Sequence, residues 1–276
     1  MSSSKKISSS FITQYLRTSD LAKAVGIHTN TVRRYVEWGL LPPVERSPSG
    51  YRRFTQRHLD CLRLDRLIMD GEYPGRTIRL SASRIIQNAV KDDWGGALEL
   101  AYQHVALVQA EQAQANAAVE LLEHWALGRG ADTTANQMRI GEVARLLGLS
   151  NDILRNWERN GLLEVPRQNN NAYRIYGQNE ISRLRVIRML VKAGYSLMAI
   201  LRMLVQLDRG DISSLRQKLD TPQPDEDVYM ASDHWLSTLK NEEKRAREII
   251  NLINEVVLHR TNQPAPQEPS HCAPGL

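Results

Sequence analysis

The chain has 276 residues, two cysteines and a net charge of +5, a length that allows two domains with separate cores. No apolar run is long enough for a membrane span, and Met1–Ser10 lacks the apolar stretch of a secretory signal. Cys61 and Cys272 are too few and too far apart for a disulfide framework, so the expected setting is a reducing cytoplasm.

The charge is unevenly spread. Residues 11–90 hold 13 Lys/Arg against 7 Asp/Glu, and residues 137–218 hold 14 against 7. Residues 91–136 hold 2 against 7, and residues 219–276 hold 5 against 10. Two basic blocks separated by acidic stretches have the form of two phosphate-facing surfaces, although charged faces also cluster without any such role.

In chain order, residues 1–14 read as a flexible Ser-rich arm with Lys5 and Lys6. A short helix then carries Leu21, Ala22 and Val25, and Gly26 permits a tight turn. A second helix runs from His28 and Thr29 through Val36, with Val32 toward the core and Arg33, Arg34 and Tyr35 on the exposed side. Pro43–Phe54 reads as strand, turn and strand, with the turn at Ser47-Pro48-Ser49-Gly50. A helix pair at 56–70 and 81–90 closes this region with apolar residues such as Leu59, Leu62 and Leu67 at helical spacing.

Residues 97–125 form a long Ala-rich helix with a seam at Leu98, Ala101, Val105, Val108, Gln112, Ala115, Val119 and Leu122. The pattern of the first block then returns at an offset of 122 residues: Arg17–Tyr73 aligns without a gap on Arg139–Tyr195. Gly26, Arg33, Gly39, Leu40, Leu41, Tyr51 and Arg52 recur as Gly148, Arg155, Gly161, Leu162, Leu163, Tyr173 and Arg174. The first copy alone carries an insertion, Pro74–Leu80. In the second copy the second helix spans Ser150 or Asn151 to Arg159, the turn between strands is Gln168–Asn171, and helices follow at 178–193 and 196–207. A last helix, Asp233–Leu258, has a seam at Leu239, Ala246, Ile249, Ile253 and Val256, and the Pro-rich residues 261–276 read as disordered.

The run Val36-Glu37-Trp38-Gly39-Leu40-Leu41-Pro42 with Gly50-Tyr51-Arg52-Arg53-Phe54 resembles the DNA-binding domain of the MerR family. So does Trp157-Glu158-Arg159-Asn160-Gly161-Leu162-Leu163 with Ala172-Tyr173-Arg174-Ile175-Tyr176, and the two likenesses together cover residues 15–90 and 137–207, over half the chain. The resemblance implies a mainly α fold: two tandem winged helix-turn-helix domains, each followed by a long helix forming an antiparallel coiled coil. The corresponding division is an arm at 1–14, modules at 15–90 and 137–218, long helices at 91–127 and 233–260, linkers at 128–136 and 219–232, and the tail.

The resemblance further implies a bacterial regulator that binds double-stranded promoter DNA and activates RNA polymerase by bending and untwisting an over-long spacer. By position, base contacts fall to His28, Thr29, Asn30 and Arg33 and to Asn151, Asp152 and Arg155. Tyr35 and Trp157 are expected on the sugar-phosphate backbone, and Arg34, Arg52, Arg53 and Arg174 as phosphate clamps. Tyr51 and Tyr173 suit either DNA or the core.

Two departures qualify the resemblance. Most relatives carry one module and dimerise, whereas here the two long helices can pair within one chain as a pseudo-dimer, the rival being a four-module homodimer. Metal-sensing relatives place cysteines at the end of the dimerisation helix and drug-sensing ones append a separate domain; neither occurs here, and no cofactor is expected. Cys61 reads as core, His271-Cys272 as a poor metal site, and Tyr229, Met230, His234 and Trp235 as either packing or a small pocket. No nucleotide loop, metal-ligand spacing or activated nucleophile points to an enzyme. The alternatives to promoter activation are repression or an architectural role on DNA, and sequestration of a small molecule.

Overall fold

A computed structural model describes residues 15–72, 75–128, 137–168, 172–221 and 234–262. The arm at 1–14, most of both linkers, the wing turn at 169–171, Tyr229, Met230 and His271-Cys272 lie outside the described residues. The described chain is mainly helical and folds as two compact units. Of the described residues, the first comprises those within 15–71, 80–104 and 245–262, and the second those within 72–79 and 105–244.

In the first unit, α1 (Thr18–Ala24) starts where Asp20 Oδ2 accepts from Arg17 N at 2.8 Å. Gly26, at φ +67°, reverses the chain into α2 (Thr29–Glu37), a conformation that a side chain would strain. Gly39, at φ +71°, ends that helix in the same way. The wing follows as β1 (Glu45–Arg46) and β2 (Arg52–Arg53), antiparallel, with Glu45 opposite Arg53 and Arg46 opposite Arg52. Its turn closes through Ser47 N to Tyr51 O at 2.7 Å. Phe54 then bridges back to Leu16 and is fully buried, so the wing is anchored at its base.

α3 (Gln56–Met69) and α4 (Arg76–Val90) supply much of this unit's core through Leu62, Leu64, Ile68, Ile85 and Ile86. α4 begins five residues before Ser81, so the end of the Pro74–Leu80 insertion lengthens a helix instead of forming a loop. The first turns of α5 (Trp94–Ala126) pack here with the last turns of α11 (Trp235–Thr261). Arg260 binds Asp92 at 2.6 Å and lies over the Trp94 ring at 5.1 Å.

The second unit repeats the plan. α6 (Ile140–Leu147) ends at Gly148 in the left-handed region, and α7 (Asn151–Arg159) is capped by Ser150 Oγ, which accepts from Ile153 N at 3.2 Å. Tyr176 bridges to Met138 as Phe54 does to Leu16, and it too is fully buried. α8 (Gln178–Lys192), α9 (Leu197–Asp208) and α10 (Leu215–Asp220) enclose a core of Leu184, Ile187, Leu190, Ile200 and Met203. Later turns of α5 join it through Val108, Ala115, Val119 and Leu122. Gln112 Nε2 on α5 donates to Leu239 O of α11 at 3.0 Å, and Gln109 Nε2 donates to Glu243 at 2.8 Å. Trp235 is buried against Gly194, whose φ of +98° leaves no room for a side chain; a Cβ there would approach the indole to 2.3 Å.

The seam expected on α11 is buried at all five positions. On α5 two seam positions differ: Leu98 is only half-buried beside a fully buried Ala97, and Gln112 is half-buried. No helix of the described residues is long and apolar enough to cross a membrane.

Candidate nucleic-acid interface

The exposed face of α2 is set by its buried one. Val32 and Tyr35 point into the core, which turns Asn30, Arg33 and Arg34 outward. His28 caps the helix, its Nδ1 accepting from Asn30 N at 3.2 Å. Arg33 Nη1 donates to Asn30 Oδ1 at 3.2 Å, so the two polar side chains stand together on the surface. α7 has the same construction. Leu154 and Trp157 are buried, and Asn151, Asp152 and Arg155 are exposed. Arg155 Nη1 meets Asp152 Oδ1 at 3.0 Å, the counterpart of the Asn30–Arg33 contact.

This geometry corrects the expectation that Tyr35 lies on the exposed side, and its counterpart Trp157 is buried in the same way. Neither lies on the exposed side: they are 5% and 4% exposed and hold their helices to the cores. Three consecutive residues, Arg33-Arg34-Tyr35, cannot share one helix face at 100° per residue. The signal for the core was present in the i, i+3 spacing Val32/Tyr35 and Leu154/Trp157, repeated in both copies. Trp38, which the sequence did not single out, is instead largely exposed and stacks on Tyr35 with ring centres 6.0 Å apart.

On the wings the outcome is the reverse. Tyr51 is 77% exposed and Tyr173 62%, so neither is a core residue. Arg53 lies over the Tyr15 ring at 4.8 Å, and Arg46 Nη1 donates to Gly50 O at 3.1 Å, stiffening the first wing's turn. Arg139 lies over Tyr173 at 6.0 Å.

The wing arginines of the two units differ in their surroundings. Arg174 Nε is held by Glu158 Oε2 of α7 at 2.6 Å, and Arg167 reaches the same carboxylate at 3.9 Å. Glu158 has Val36 as its counterpart in the first copy, so Arg52 has no carboxylate at that place. Sequence reasoning missed Glu158 and Arg167, although comparing position 36 with position 158 would have shown the difference.

Each unit thus presents a winged helix-turn-helix module with a polar, largely basic outer face. The family described as MerR family regulatory protein matches residues 17–54, and that described as MerR HTH family regulatory protein matches residues 138–207. The chain is 35% identical over 86 residues to a probable heavy metal-dependent transcriptional regulator of Haemophilus influenzae, covering 31% of this chain and 67% of that protein. It is 33% identical over 75 residues to the mercuric resistance operon regulatory protein of Bacillus cereus, covering 27% of this chain and 57% of that protein. Identity to the transcriptional regulator CueR of Salmonella typhimurium is 45% over 49 residues, 18% of this chain and 36% of that one. The matches therefore span about one third to two thirds of these relatives. No solved structure matches at a significant level. The chain belongs to the MerR family and carries two MerR-type modules.

Among the described residues no group of three or more His, Cys, Asp or Glu side chains could hold a metal ion. Cys61 is 1% exposed, and burial pushes its thiol up to about 12, away from the thiolate a metal needs.

Proposed function

We propose that this protein is a promoter-binding transcription regulator that sets α2 and α7 into major grooves of one duplex. The observation that carries this reading is the duplicated surface. Two helices of nine residues each bury an aromatic at one repeat position and expose a paired Asn–Arg or Asp–Arg at two others. A helix of this size fits a major groove, and base edges are read by such side chains. His28, Thr29, Asn30 and Arg33, with Asn151, Asp152 and Arg155, make the base contacts. Arg34, Arg52, Arg53, Arg174 and the exposed Tyr51 and Tyr173 fix the register on phosphates.

The two modules act as a pseudo-dimer within one chain, with α5 and α11 as an antiparallel coiled coil. Burial of the α11 seam and the Gln112–Leu239 and Arg260–Asp92 contacts support this pairing. Activation follows from bending and untwisting a long promoter spacer so that RNA polymerase engages both of its elements, the deformation being offset by the phosphate contacts. The test is selection of bound duplexes from a random pool, then transcription in vitro from a promoter carrying the selected site in a long or a shortened spacer. Stimulation confined to the long spacer supports the mechanism. Repression on both spacers leaves a DNA-binding repressor or architectural protein.

A second reading, sequestration of a small molecule, draws on an open cleft of about 970 Å³ in the second unit. Trp125, Leu163 and Val205 line it together with Glu164, Glu180 and Asp208. Of the segment proposed for a pocket from sequence, the described residues do not line it: Trp235 is buried in packing, and His234 Nδ1 lies 3.0 Å from Asp220 O.

A further inference from the structure

The two modules hold the same side-chain pair in the same place with one chemical difference. Asn30 and Asp152 are equivalent positions of the repeat, as are Arg33 and Arg155. In each, the arginine's Nη1 donates to the Oδ1 of the residue one turn earlier, at 3.2 Å and 3.0 Å. Asn and Asp are nearly isosteric, so the arginine is posed alike on both helices. What changes is the hydrogen-bonding sense of the partner. The Asn30 amide still offers two N–H donors and a second acceptor site. The Asp152 carboxylate, with 87% of its side chain exposed, offers acceptors only.

The major-groove edges of the bases divide these two groups. Guanine presents acceptors and thymine an acceptor and a methyl group, whereas adenine presents an acceptor beside a donor. Cytosine alone presents a donor and no acceptor. An acceptor-only carboxylate therefore matches cytosine and is repelled by guanine O6 and N7, by thymine O4 and by adenine N7. An amide that both donates and accepts matches adenine.

Resting on the promoter-binding reading above, we infer that position 30/152 is the residue that makes the two half-sites unequal. The first module takes adenine, and the second takes cytosine at the equivalent base pair. Arg33 and Arg155 serve guanine at a neighbouring base pair in both. The surrounding charges reinforce the inequality. Arg34 of the first copy is Asn156 in the second, and Val36 is Glu158. The carboxylate thus lies on the less basic of the two helices, where affinity from phosphates is lower and discrimination by base edges weighs more.

The experiment is selection of duplexes from a random pool by the full chain and by Asp152→Asn and Asn30→Asp, with circular dichroism melts to confirm equal folding. The wild-type motif should have two half-sites that differ at one equivalent position, cytosine in one and adenine in the other. Asp152→Asn should convert that cytosine to adenine, with a relative preference shifted about fivefold or more, and leave the other half-site unchanged. Asn30→Asp should do the converse in the other half-site. Should Asp152→Asn strengthen binding to all sequences equally and leave the base preference unaltered, the carboxylate is only a surface charge and the inference fails. If the wild-type chain enriches no motif, the promoter-binding reading falls first, and this inference with it.

Discussion

Asp65 occupies the repeat position that Ile187 fills in the second copy. It lies on α3, 1% exposed, and neither carboxylate oxygen has a hydrogen-bond partner. Burial pushes its carboxyl well above the usual carboxylate range, so the native state favours the neutral acid. The sign of the pH dependence follows. Stability linked to this group is fully present below its unfolded pKa near ~3.9 and is lost as pH rises toward the raised native value. Asp65→Leu should therefore stabilise the protein by roughly 1–3 kcal/mol near neutral pH, since it removes an unsatisfied buried polar group. Asp65→Asn should remove this group's contribution to the pH dependence while keeping an unpaired polar group. Thermal melts at pH 5 and pH 8 check both, and a gap between wild type and Asp65→Leu that fails to widen with pH would remove the argument. Asp65 was not legible in the sequence, because a lone aspartate in an amphipathic helix reads as a surface residue. Tyr35 was misplaced for a related reason, since its neighbours Arg33 and Arg34 drew it to the exposed side.

At the scale of elements, the features legible in the sequence were those with local causes. Gly26 and Gly148 mark turns because a left-handed backbone excludes other residues at low cost. The 3.6-residue period of Ile181, Leu184 and Ile187 on α8 fixes its inner face without reference to any partner. What depended on packing was harder to read. Ala97, not Leu98, is the buried residue at the start of α5, and no pattern on α5 alone specifies which of two neighbouring apolar residues turns inward. The start of α4 at Arg76 lies within the Pro74–Leu80 insertion, ahead of the helix expected at 81–90. Ile249 is fully buried in the first unit, so Ile249→Ala should destabilise it by about 2–5 kcal/mol through lost transfer energy and a residual cavity. A shift in the denaturant midpoint measures this, and the surface variant Leu258→Ala on the same helix should leave the midpoint nearly unchanged.

For the whole molecule, the question is whether one chain suffices. A helix pair that holds modules apart must bury two apolar seams, and in most family members these come from two subunits. Here the α11 seam residues Leu239, Ala246, Ile249, Ile253 and Val256 are already buried in the single chain, as are Ala101, Val108, Ala115, Val119 and Leu122 of α5. An obligate dimer of the ordinary kind needs a large apolar surface left over for the second copy. The large hydrophobics that remain exposed on these helices, such as Leu121 and Leu258, are single residues of a kind common on soluble proteins. The pseudo-dimer proposed above predicts a 31.4 kDa monomer in solution, binding one selected duplex at one-to-one stoichiometry. Light scattering with and without DNA measures both. A stable species of twice that mass, selecting a long palindrome, would replace the pseudo-dimer with a four-module clamp, because a two-fold pair of identical chains must favour a symmetric site. A monomer on an asymmetric site would instead tie the unequal reading helices directly to the inequality of the operator.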